Sequence, residues 1–503
     1  MPRLRRVLAV LALGLSACGS APRRDPTPLP DIVVVLVDDL GWQDLGVAAQ
    51  PSPTPLHAAF LTPHVDRLVR EGVRFDQAYA AAPVCTPTRV SLMTGQLPAR
   101  HHVSYWTLHG GQDTSSPHPR LLPPEWRVDG LDADAPTLAD RLAERGYRTI
   151  HVGKAHFGAT GTAAADPATL GFEVAIAGHA AGAPGSYRGT ERFMDSLRKG
   201  RPATASVWDV PGLEAWHGRD VDLTDVLAEE ARRALRTALA DTRPVFLHFA
   251  PYAVHTPITA NPRTLPRFAG LDPIEAAYAS MVASVDDALG VLLDELAAAG
   301  RLERAIVVVT SDNGGLSAVA RGGIPHGHNA PLRSGKGSAY EGGLRVPCIV
   351  RWPGVARPGT RCDTPIVTMD LTATLLAAAG ARSLPALDGE DLAPLLRGEP
   401  VSPSRPLLWH MPHLWGPTGP GLEPFTALRE GPLKLVFFHD GSEAAPRLEL
   451  YDLLADPGES RDLATERPVE LARLTARLTE LARAVGAQPS RRRIDAQDLP
   501  WPE

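Results

Sequence analysis

A cysteine, a proline and an arginine stand at alternate positions in the segment Cys85-Thr86-Pro87-Thr88-Arg89, which leads into an apolar run at 90–93. Proline is tolerated in a helix mainly in the first turn, so Cys85 is predicted to lie at or just before a helix start. Free backbone N–H groups and the helix dipole favour an anion there. A buried thiol that packs as a small hydrophobic side chain is the alternative for any single cysteine. The spacing favours a site at which Cys85 meets an anionic group.

Two apolar runs, residues 31–37 and 305–310, have the continuous hydrophobicity of strands buried on both faces. The residues that follow them include Asp38, Asp39, Asp312 and Asn313. In an open α/β sheet the carboxyl ends of the strands line the ligand crevice, so these four side chains are predicted to converge. Oxygen ligands without sulfur or imidazole suit Ca²⁺ or Mg²⁺ rather than zinc. Helix capping is the alternative use of such residues.

Helical and strand-like patterns alternate between these two runs. We predict helices at 136–146, 223–239 and 273–299, and strands at 147–152 and 245–249. This alternation is typical of an α/β domain with a largely parallel sheet. After residue 400 the chain has short strand-like segments at 406–410, 426–430, 433–438 and 447–451, and then a charged helix at 467–485. The C-terminal part is therefore predicted to be a small α+β domain with an antiparallel sheet.

The length and the charge of the chain limit its organisation and its partners. A chain of 503 residues is too long for one simple core, so two domains are expected. The formal net charge is −6 and there is no basic stripe, which argues against a nucleic-acid partner. We divide the chain into a signal peptide (1–17), a proline-rich tether (18–30), a large α/β domain (31–400), a small C-terminal α+β domain (401–490) and a tail (491–503).

The N-terminal residues have the organisation of an export signal. A basic segment at 1–6 precedes an apolar segment at 7–15 that is too short for a permanent membrane span. Leu15-Ser16-Ala17-Cys18 resembles a bacterial lipobox, in which Cys18 would be the lipidated residue. An ordinary signal peptide that happens to contain a cysteine is the alternative. We therefore expect an exported protein of the cell envelope, in the periplasm or at the outer membrane, with a lipid anchor.

Two further cysteines remain after Cys18 and Cys85. Cys348 lies in a strand-like run and Cys362 in a later turn. They could form a disulfide in an exported protein. Because connectivity cannot be read from a sequence, both the bridged and the free state stay open.

The segment from Cys85 to Arg89 matches the C-x-P-x-R signature, and the chain resembles the type I, formylglycine-dependent sulfatases of the alkaline phosphatase-like superfamily over about residues 31–462. Four further motifs carry this resemblance: Gly153-Lys154-Ala155-His156, His255-Thr256-Pro257, Ser311-Asp312-Asn313-Gly314 and Gly335-Lys336-Gly337. The resemblance implies a large mixed, mostly parallel sheet sandwiched by helices, with a small C-terminal antiparallel sheet.

The resemblance also implies how Cys85 and the acidic residues are used. In this family a formylglycine-generating enzyme oxidises the cysteine to formylglycine, and one hydroxyl of the hydrated aldehyde attacks sulfur. The implied cofactor is Ca²⁺, with Mg²⁺ as the alternative. Its implied ligands are Asp38, Asp39, the modified Cys85, Asp312 and Asn313.

The remaining motif residues have implied catalytic roles. Arg89 and Lys154 hold the nucleophile and balance its charge. Lys336 and His255 contact the sulfate, as does Lys154, and Lys336 and His255 protonate the leaving oxygen. His156 takes a proton from the second hydroxyl, which expels sulfate and restores the aldehyde.

The substrate is less sharply defined by the sequence. His179 and His328 are predicted to line the substrate pocket, with plain surface loops as the alternative. The resemblance implies hydrolysis of a sulfated carbohydrate or an aryl sulfate, and the export signal favours a saccharide. Two competing functions are a phosphonate monoester or phosphodiester hydrolase of the same superfamily, and a catalytically silent sulfatase-like binding lipoprotein.

Overall fold

The computed structural model describes residues 28–47, 59–316, 329–399, 405–416, 419–442 and 445–502. The predicted signal peptide, Cys18, most of the tether and His328 lie outside these residues.

Fifteen β-strands occur in the described residues. They are β1 (Asp31–Val37), β2 (Val73–Tyr79), β3 (Leu121–Leu122), β4 (Arg148–Gly153), β5 (Val174–Ile176), β6 (Val245–Ala250), β7 (Ala305–Ser311), β8 (Arg345–Arg351), β9 (Thr360–Cys362), β10 (Ile366–Val367), β11 (Leu407–Met411), β12 (Phe425–Glu430), β13 (Leu433–Ser442), β14 (Ala445–Asp452) and β15 (Arg491–Arg492).

The α-helices of the described residues separate these strands. They are α1 (Pro63–Glu71), α2 (Cys85–Thr94), α3 (Pro98–His101), α4 (Leu138–Glu144), α5 (Asp195–Arg198), α6 (Leu223–Leu239), α7 (Pro273–Ala298), α8 (Glu341–Leu344), α9 (Thr368–Ala378), α10 (Ala393–Leu396) and α11 (Pro468–Ala484). Each helix and strand predicted from the sequence is present, with ends that differ by a few residues.

The large sheet has nine strands in the order β10-β2-β8-β7-β1-β6-β4-β5, and β9 pairs with β2 beside this path. Only β8 pairs antiparallel to its neighbours β2 and β7; the other pairings in this described sheet are parallel. The prediction of a large mixed, mostly parallel sheet is therefore confirmed.

Strand β1 lies at the centre of this sheet, between β6 and β7, and all seven of its residues are buried. Its alternate side chains enter two different cores. Val33 and Val35 pack with apolar residues of α6 and α7, whereas Ile32 and Val34 pack with those of α2, α4 and α9. Helices thus cover both faces of the sheet, which explains why the run is continuously apolar. Helix α7 is long and apolar enough to cross a membrane, but most of it is buried in this core.

The second sheet, β11-β12-β13-β14, is an antiparallel meander, as predicted for the C-terminal part. One face packs against α11, where Leu428 and Leu435 meet Leu474 and Leu478. The opposite face packs against the large α/β part, where Trp409 lies over Tyr79 with ring centroids 5.1 Å apart. The meander is therefore held between its own helix and the large sheet.

The two remaining cysteines are free in the structure. Strand β2 lies between them, because Phe75 pairs with Cys348 on one side and with Cys362 on the other. Two strand spacings separate their backbones by about 9.6 Å, which is more than the roughly 7 Å that a disulfide can bridge. The open question about this pair is thereby answered in favour of free thiols.

Candidate active site

The predicted polar residues meet at the carboxyl ends of the parallel strands. Asp38 and Asp39 follow β1, Lys154 and His156 follow β4, His255 follows β6, and Asp312 and Asn313 follow β7. The Asp39 backbone N–H donates to Asp312 Oδ1 over 3.2 Å, across 273 positions of sequence. The parallel pairing of β1 with β7 aligns Val37 with Ser311, which brings the residues after both strands together.

Cys85 is the first residue of α2 and only 3% of its surface is exposed. Val84, just before it, has an extended backbone, and Pro87 lies in the first turn of the helix. The predicted helix start is therefore confirmed. Cys85 also lines a cavity of about 540 Å³ together with His156, His255 and Lys336.

Three buried cations are paired with the acidic residues beside this cavity. Arg89 Nε donates to Asp312 Oδ2 over 2.8 Å, and Arg89 Nη1 donates to the Lys154 carbonyl oxygen over 2.7 Å. Lys154 Nζ lies 2.7 Å from Asp38 Oδ2. Lys336 Nζ lies 2.6 Å from Asp39 Oδ1. The pairs fix the cations and the carboxylates relative to one another.

Burial and mutual repulsion make the three carboxylates unequal. Burial, together with the nearby Asp312 and Asp39 charges, raises the pKa of Asp38 despite Lys154. Burial would also raise the pKa of Asp39, but the charges of Lys336 and Lys154, with the hydrogen bond from Asn313, together outweigh it and hold that pKa below the usual range. Burial opposes the charge of Asp312 as well, but Arg89 and Lys154 together hold the pKa of Asp312 below the usual range. This group of carboxylates would be stabilised by one more positive charge.

Unpartnered oxygen atoms test whether these residues suit a metal ion. Among the described residues, Asp38 Oδ1, Asp39 Oδ2 and Asn313 Oδ1 are buried without a hydrogen-bond donor. The Asn313 amide is oriented by Nδ2, which donates to Asp39 Oδ1 over 2.7 Å and so leaves its oxygen free. Buried oxygens without a donor are costly unless a cation satisfies them. The predicted set therefore fits a hard divalent cation, and a ring nitrogen of His255 also lies within 4.8 Å of the nearest Asp38 and Asp39 oxygens.

His64, Asp286 and Asp287 form a second group of possible metal ligands. The carboxylate oxygens of this group already have partners. Both carboxylate oxygens of Asp286 accept backbone N–H groups, from His64 over 3.1 Å and from Val65 over 2.8 Å. Asp287 is paired with Arg263 and Arg267. This group caps α1 and forms surface ion pairs.

His156 has a defined tautomer in the neutral state. Its Nε2 lies 2.9 Å from the Thr107 carbonyl oxygen, which can only accept, so Nε2 carries the proton. Its Nδ1 is buried and has no partner among the described residues. Burial, with the charge of Lys154, lowers the pKa of His156. The ring therefore presents an unprotonated nitrogen.

The other predicted histidines differ in how they meet the cavity. His255 lines it, and burial with the charge of Lys336 lowers the pKa of His255 to about 3. His179 is not among the residues that line it. Its Nε2 donates to the Val207 carbonyl oxygen over 3.1 Å, and its Nδ1 lies 2.8 Å from the Tyr252 hydroxyl. His179 thus supports the wall of the cavity, and its backbone carbonyl accepts from the N–H of His156.

The cavity also has a wall that sequence reasoning missed. Its additional lining residues include Trp106, Trp208, Trp415, Asp195, Arg198 and Lys199. They come from loops and the short helix α5, far apart in sequence, and no motif or periodicity joins them. Only the position of their loops at the mouth of the site distinguishes them from surface residues.

The C-terminal meander supports the loop that carries Lys336. Trp415 packs directly on Gly337, where a Cβ atom would come within 1.8 Å of the indole. Behind this loop, Lys434 of β13 pairs with Glu341 over 3.0 Å and with Glu459 over 2.8 Å, and all three side chains are fully buried. The position of Lys336 therefore depends on both parts of the chain.

Family models match both parts of the chain. The model described as "Sulfatase" matches residues 30–381, and the model described as "N-sulphoglucosamine sulphohydrolase, C-terminal" matches residues 335–484. The chain is 32% identical to human arylsulfatase A over 91% of this chain and 86% of that protein. It is 32% identical to mouse N-acetylgalactosamine-6-sulfatase over 80% of this chain and 72% of that protein. It is 30% identical to mouse steryl-sulfatase over 100% of this chain and 90% of that protein.

Solved structures show the same architecture. A crystal structure described as Ps i-CgsB in complex with k-i-k-neocarrahexaose superposes with a TM-score of 0.72 at 25% identity, covering 90% of this chain and 93% of that one. A phosphonate monoester hydrolase from Silicibacter pomeroyi superposes with a TM-score of 0.62 at 19% identity over 91% and 96%, a likeness of fold alone.

Proposed function

Because the chain belongs to the sulfatase family, we propose that it hydrolyses its sulfate ester with a formylglycine made from Cys85 and with one divalent cation, Ca²⁺ or Mg²⁺. The observation that carries this proposal is the position of Cys85 at a helix start, in one cavity with Lys336, His255 and the unpartnered nitrogen of His156. A formylglycine-generating enzyme is the implied partner in maturation. The cation would be held by Asp38, Asp39, Asp312, Asn313 and the modified Cys85.

When present, formylglycine supplies a nucleophilic hydroxyl, and the cation supplies positive charge beside it. Arg89 and Lys154 balance the remaining negative charge near position 85. Arg89 keeps Nη2 without a partner among the described residues, so the two N–H bonds of this nitrogen remain available to an oxygen at position 85. Lys154 is fixed by Asp38 and lies 3.8 Å from Asp312. Both cations are pre-organised, so they need no rearrangement during the reaction.

Three side chains that line the cavity, Lys336, His255 and His156, can donate or accept protons. Burial opposes the charge on Lys336, but the negative charges of Asp39, Asp38 and Asp312 together outweigh it and raise the Lys336 pKa, so this side chain stays charged at neutral pH. Lys336 can therefore bind a sulfate oxygen and donate toward the leaving oxygen. His255, whose pKa is lowered to about 3 and whose Nδ1 donates to the Thr256 carbonyl oxygen over 2.8 Å, can share that donation once the bound sulfate has favoured a second proton on its ring. His156, neutral and unprotonated at Nδ1, is suited to accept the proton whose removal releases sulfate.

We propose a sulfated carbohydrate as the physiological substrate and an aryl sulfate as a usable analogue. The cavity has three tryptophan side chains in its wall, and flat aromatic rings suit the apolar faces of sugar rings. The relative whose crystal structure is described with a neocarrahexaose supports the same class.

Peptide mass spectrometry and turnover test the mechanism together. The Cys85 peptide of active protein should have lost its sulfur as an aldehyde, and Cys85→Ala should abolish sulfate release while leaving the thermal transition unchanged. Cys362→Ser, which changes a half-buried thiol that does not line the cavity, is the matched control and should retain activity. Full activity of Cys85→Ala would contradict the proposal. Faster cleavage of a phosphodiester than of the matched aryl sulfate would favour a phosphonate monoester or phosphodiester hydrolase.

We further propose that Cys18 is lipidated and anchors the protein in the cell envelope, with residues 18–30 as the tether. The support is the sequence Leu15-Ser16-Ala17-Cys18 after a basic and an apolar segment. Stable anchoring needs more than one acyl chain, which bacterial lipidation provides. Cys18→Ser should move the protein from the membrane fraction or block its processing, while a leaderless form keeps full turnover. If wild-type protein is found to carry no lipid on Cys18, the proposed anchor is wrong, and the proposed activity is unaffected.

A further inference from the structure

A compact group of charges lines the cavity apart from the catalytic residues. Arg198 and Lys199, at the end of α5, both line the cavity, and the catalytic proposal uses neither. Asp195 holds them: its Oδ1 lies 2.6 Å from Arg198 Nη2, and its Oδ2 lies 2.7 Å from Lys199 Nζ. We call these three residues the α5 cluster.

The α5 cluster carries an excess of positive charge. Arg201 also approaches Asp195, at 3.4 Å, so three cations share one carboxylate. Asp209, a carboxylate bonded to the backbone of this group, has both oxygens occupied by N–H groups, of Asp195 over 2.9 Å and of Ser206 over 2.8 Å. Even when both carboxylates are counted, one positive charge remains. The excess is at the mouth of a site for an anionic substrate.

The cations of the α5 cluster are positioned but still accessible. Arg198 Nε donates to the Gly185 carbonyl oxygen over 2.6 Å, which fixes the plane of the guanidinium. The side chains of Arg198 and Lys199 remain 32% and 48% exposed, whereas that of Asp195 is 11% exposed. A fixed guanidinium with free N–H groups is suited to a carboxylate or a sulfate.

We propose that the α5 cluster binds a second anionic group of the substrate, either a carboxylate or a further sulfate, carried by the saccharide beyond the ester that is cleaved. The sugar ring then lies among Trp106, Trp208 and Trp415, between the α5 cluster and the catalytic residues. The substrate class is an acidic, at least doubly charged saccharide. This inference rests on the proposed function for the cleaved ester.

Binding to full-length Cys85→Ala protein tests the proposal without turnover. The probes are methyl pyranoside monosulfates, the matched disulfates and the matched monosulfated hexuronates, measured by titration calorimetry. We expect at least one dianionic series to bind roughly tenfold or more tightly than its monosulfate, because a charge-assisted hydrogen bond contributes about that factor. The disulfate and hexuronate arms identify which anion the cluster prefers.

Charge-removing variants assign the effect to the cluster. Arg198→Gln with Lys199→Gln should abolish the dianionic advantage, whereas Arg201→Gln, whose side chain is not part of the cavity wall, should keep it. In the wild-type enzyme, the same double substitution should lower kcat/KM for the dianionic saccharide relative to p-nitrophenyl sulfate by about 10- to 100-fold. The loss should be smaller at high ionic strength.

The outcomes separate this inference from the proposed function. Equal binding of all mono- and dianionic probes, or an advantage that survives the double substitution, would overturn the role of the α5 cluster even if aryl sulfate is hydrolysed. Conversely, cluster-dependent binding of dianionic saccharides with no sulfate release from any substrate by protein that carries formylglycine would leave the anion site standing and overturn the proposed mechanism.

Discussion

Arg89 Nε donates to Asp312 Oδ2 over 2.8 Å, although 223 positions separate the two residues and neither side chain is exposed. The same guanidinium donates through Nη1 to the carbonyl oxygen of Lys154, after β4. One side chain of α2 therefore connects the helix of Cys85 to the ends of two strands of the central sheet. The relative positions of Cys85, the acidic residues and Lys154 depend on this planar guanidinium.

The first prediction concerns this guanidinium. Arg89→Lys keeps the charge but cannot make both bonds, so kcat should fall by about 100-fold or more with a modest loss of stability. Arg89→Met leaves Asp312 with Lys154 as its remaining cation and should cost about 3–5 kcal/mol in the free energy of unfolding, measured with urea. Arg67→Lys, at a surface ion pair with Glu71, is the control and should change that free energy by less than about 1 kcal/mol. Wild-type kcat in Arg89→Lys would contradict the role of the guanidinium.

The second prediction concerns the metal. Elemental analysis of freshly purified active protein should find about one Ca²⁺ or Mg²⁺ per chain, because the four oxygen-bearing side chains leave three unpartnered oxygens. Chelation should remove the ion and lower the melting temperature, since the three buried oxygens without a hydrogen-bond donor then lose their only favourable partner. Asp39→Asn should lose the ion, whereas Asp287→Asn, in the second acidic group, should retain it. Stoichiometric zinc in active protein would contradict the assignment.

The third prediction concerns Gly182, which packs on the ring of His156. A Cβ atom at Gly182 would lie 2.4 Å from Cε1 and 2.7 Å from Nδ1 of that ring. Gly182→Ala should therefore displace the ring and lower kcat by about tenfold or more, with a smaller effect on KM. Since the effect acts through His156, the double variant Gly182→Ala with His156→Ala should be no slower than His156→Ala alone. Additive losses would show that Gly182 acts by another route.

The fourth prediction concerns pH and stability. Burial raises the pKa of Asp222 to about 7, although its carboxylate accepts from the Thr224 N–H over 2.9 Å at the start of α6. The folded state therefore holds a proton that the unfolded state loses above its ordinary pKa of 3.8. The contribution of protonated Asp222 to the free energy of unfolding is fully present below pH 3.8 and is lost as the pH rises toward 7.

Asp222→Asn isolates this effect, because asparagine keeps the cap and cannot ionise. Between pH 4 and 7 the unfolding free energy of the variant should rise relative to the wild type, by up to about 4 kcal/mol. Urea unfolding at several pH values measures the difference. A difference that does not change with pH would mean that Asp222 ionises in the folded protein as it does in the unfolded chain.

The sequence by itself determined the elements of the fold and which polar residues converge beside Cys85. Continuous apolar runs identify β1 and β7 because strands buried on both faces have no polar positions, and Pro87 locates the start of α2 because proline is excluded from later turns. The residues after these elements then converge, since parallel strands place their carboxyl ends at one edge of the sheet. Pro87 was enough to place Cys85 at a helix start, whereas the roles of Cys85 and Arg89 were implied by the resemblance of their motif to the sulfatase signature.

Only the tertiary structure decided which loops close over that centre. The α5 cluster and the three tryptophans come from segments without periodicity or motif, so nothing local marks them as neighbours. The free state of Cys348 and Cys362 likewise follows from the insertion of β2 between their strands. The placement of His179 behind the wall, with both ring nitrogens engaged, has the same origin. Such contacts depend on how distant segments pack, and packing is a property of the whole chain rather than of any short stretch.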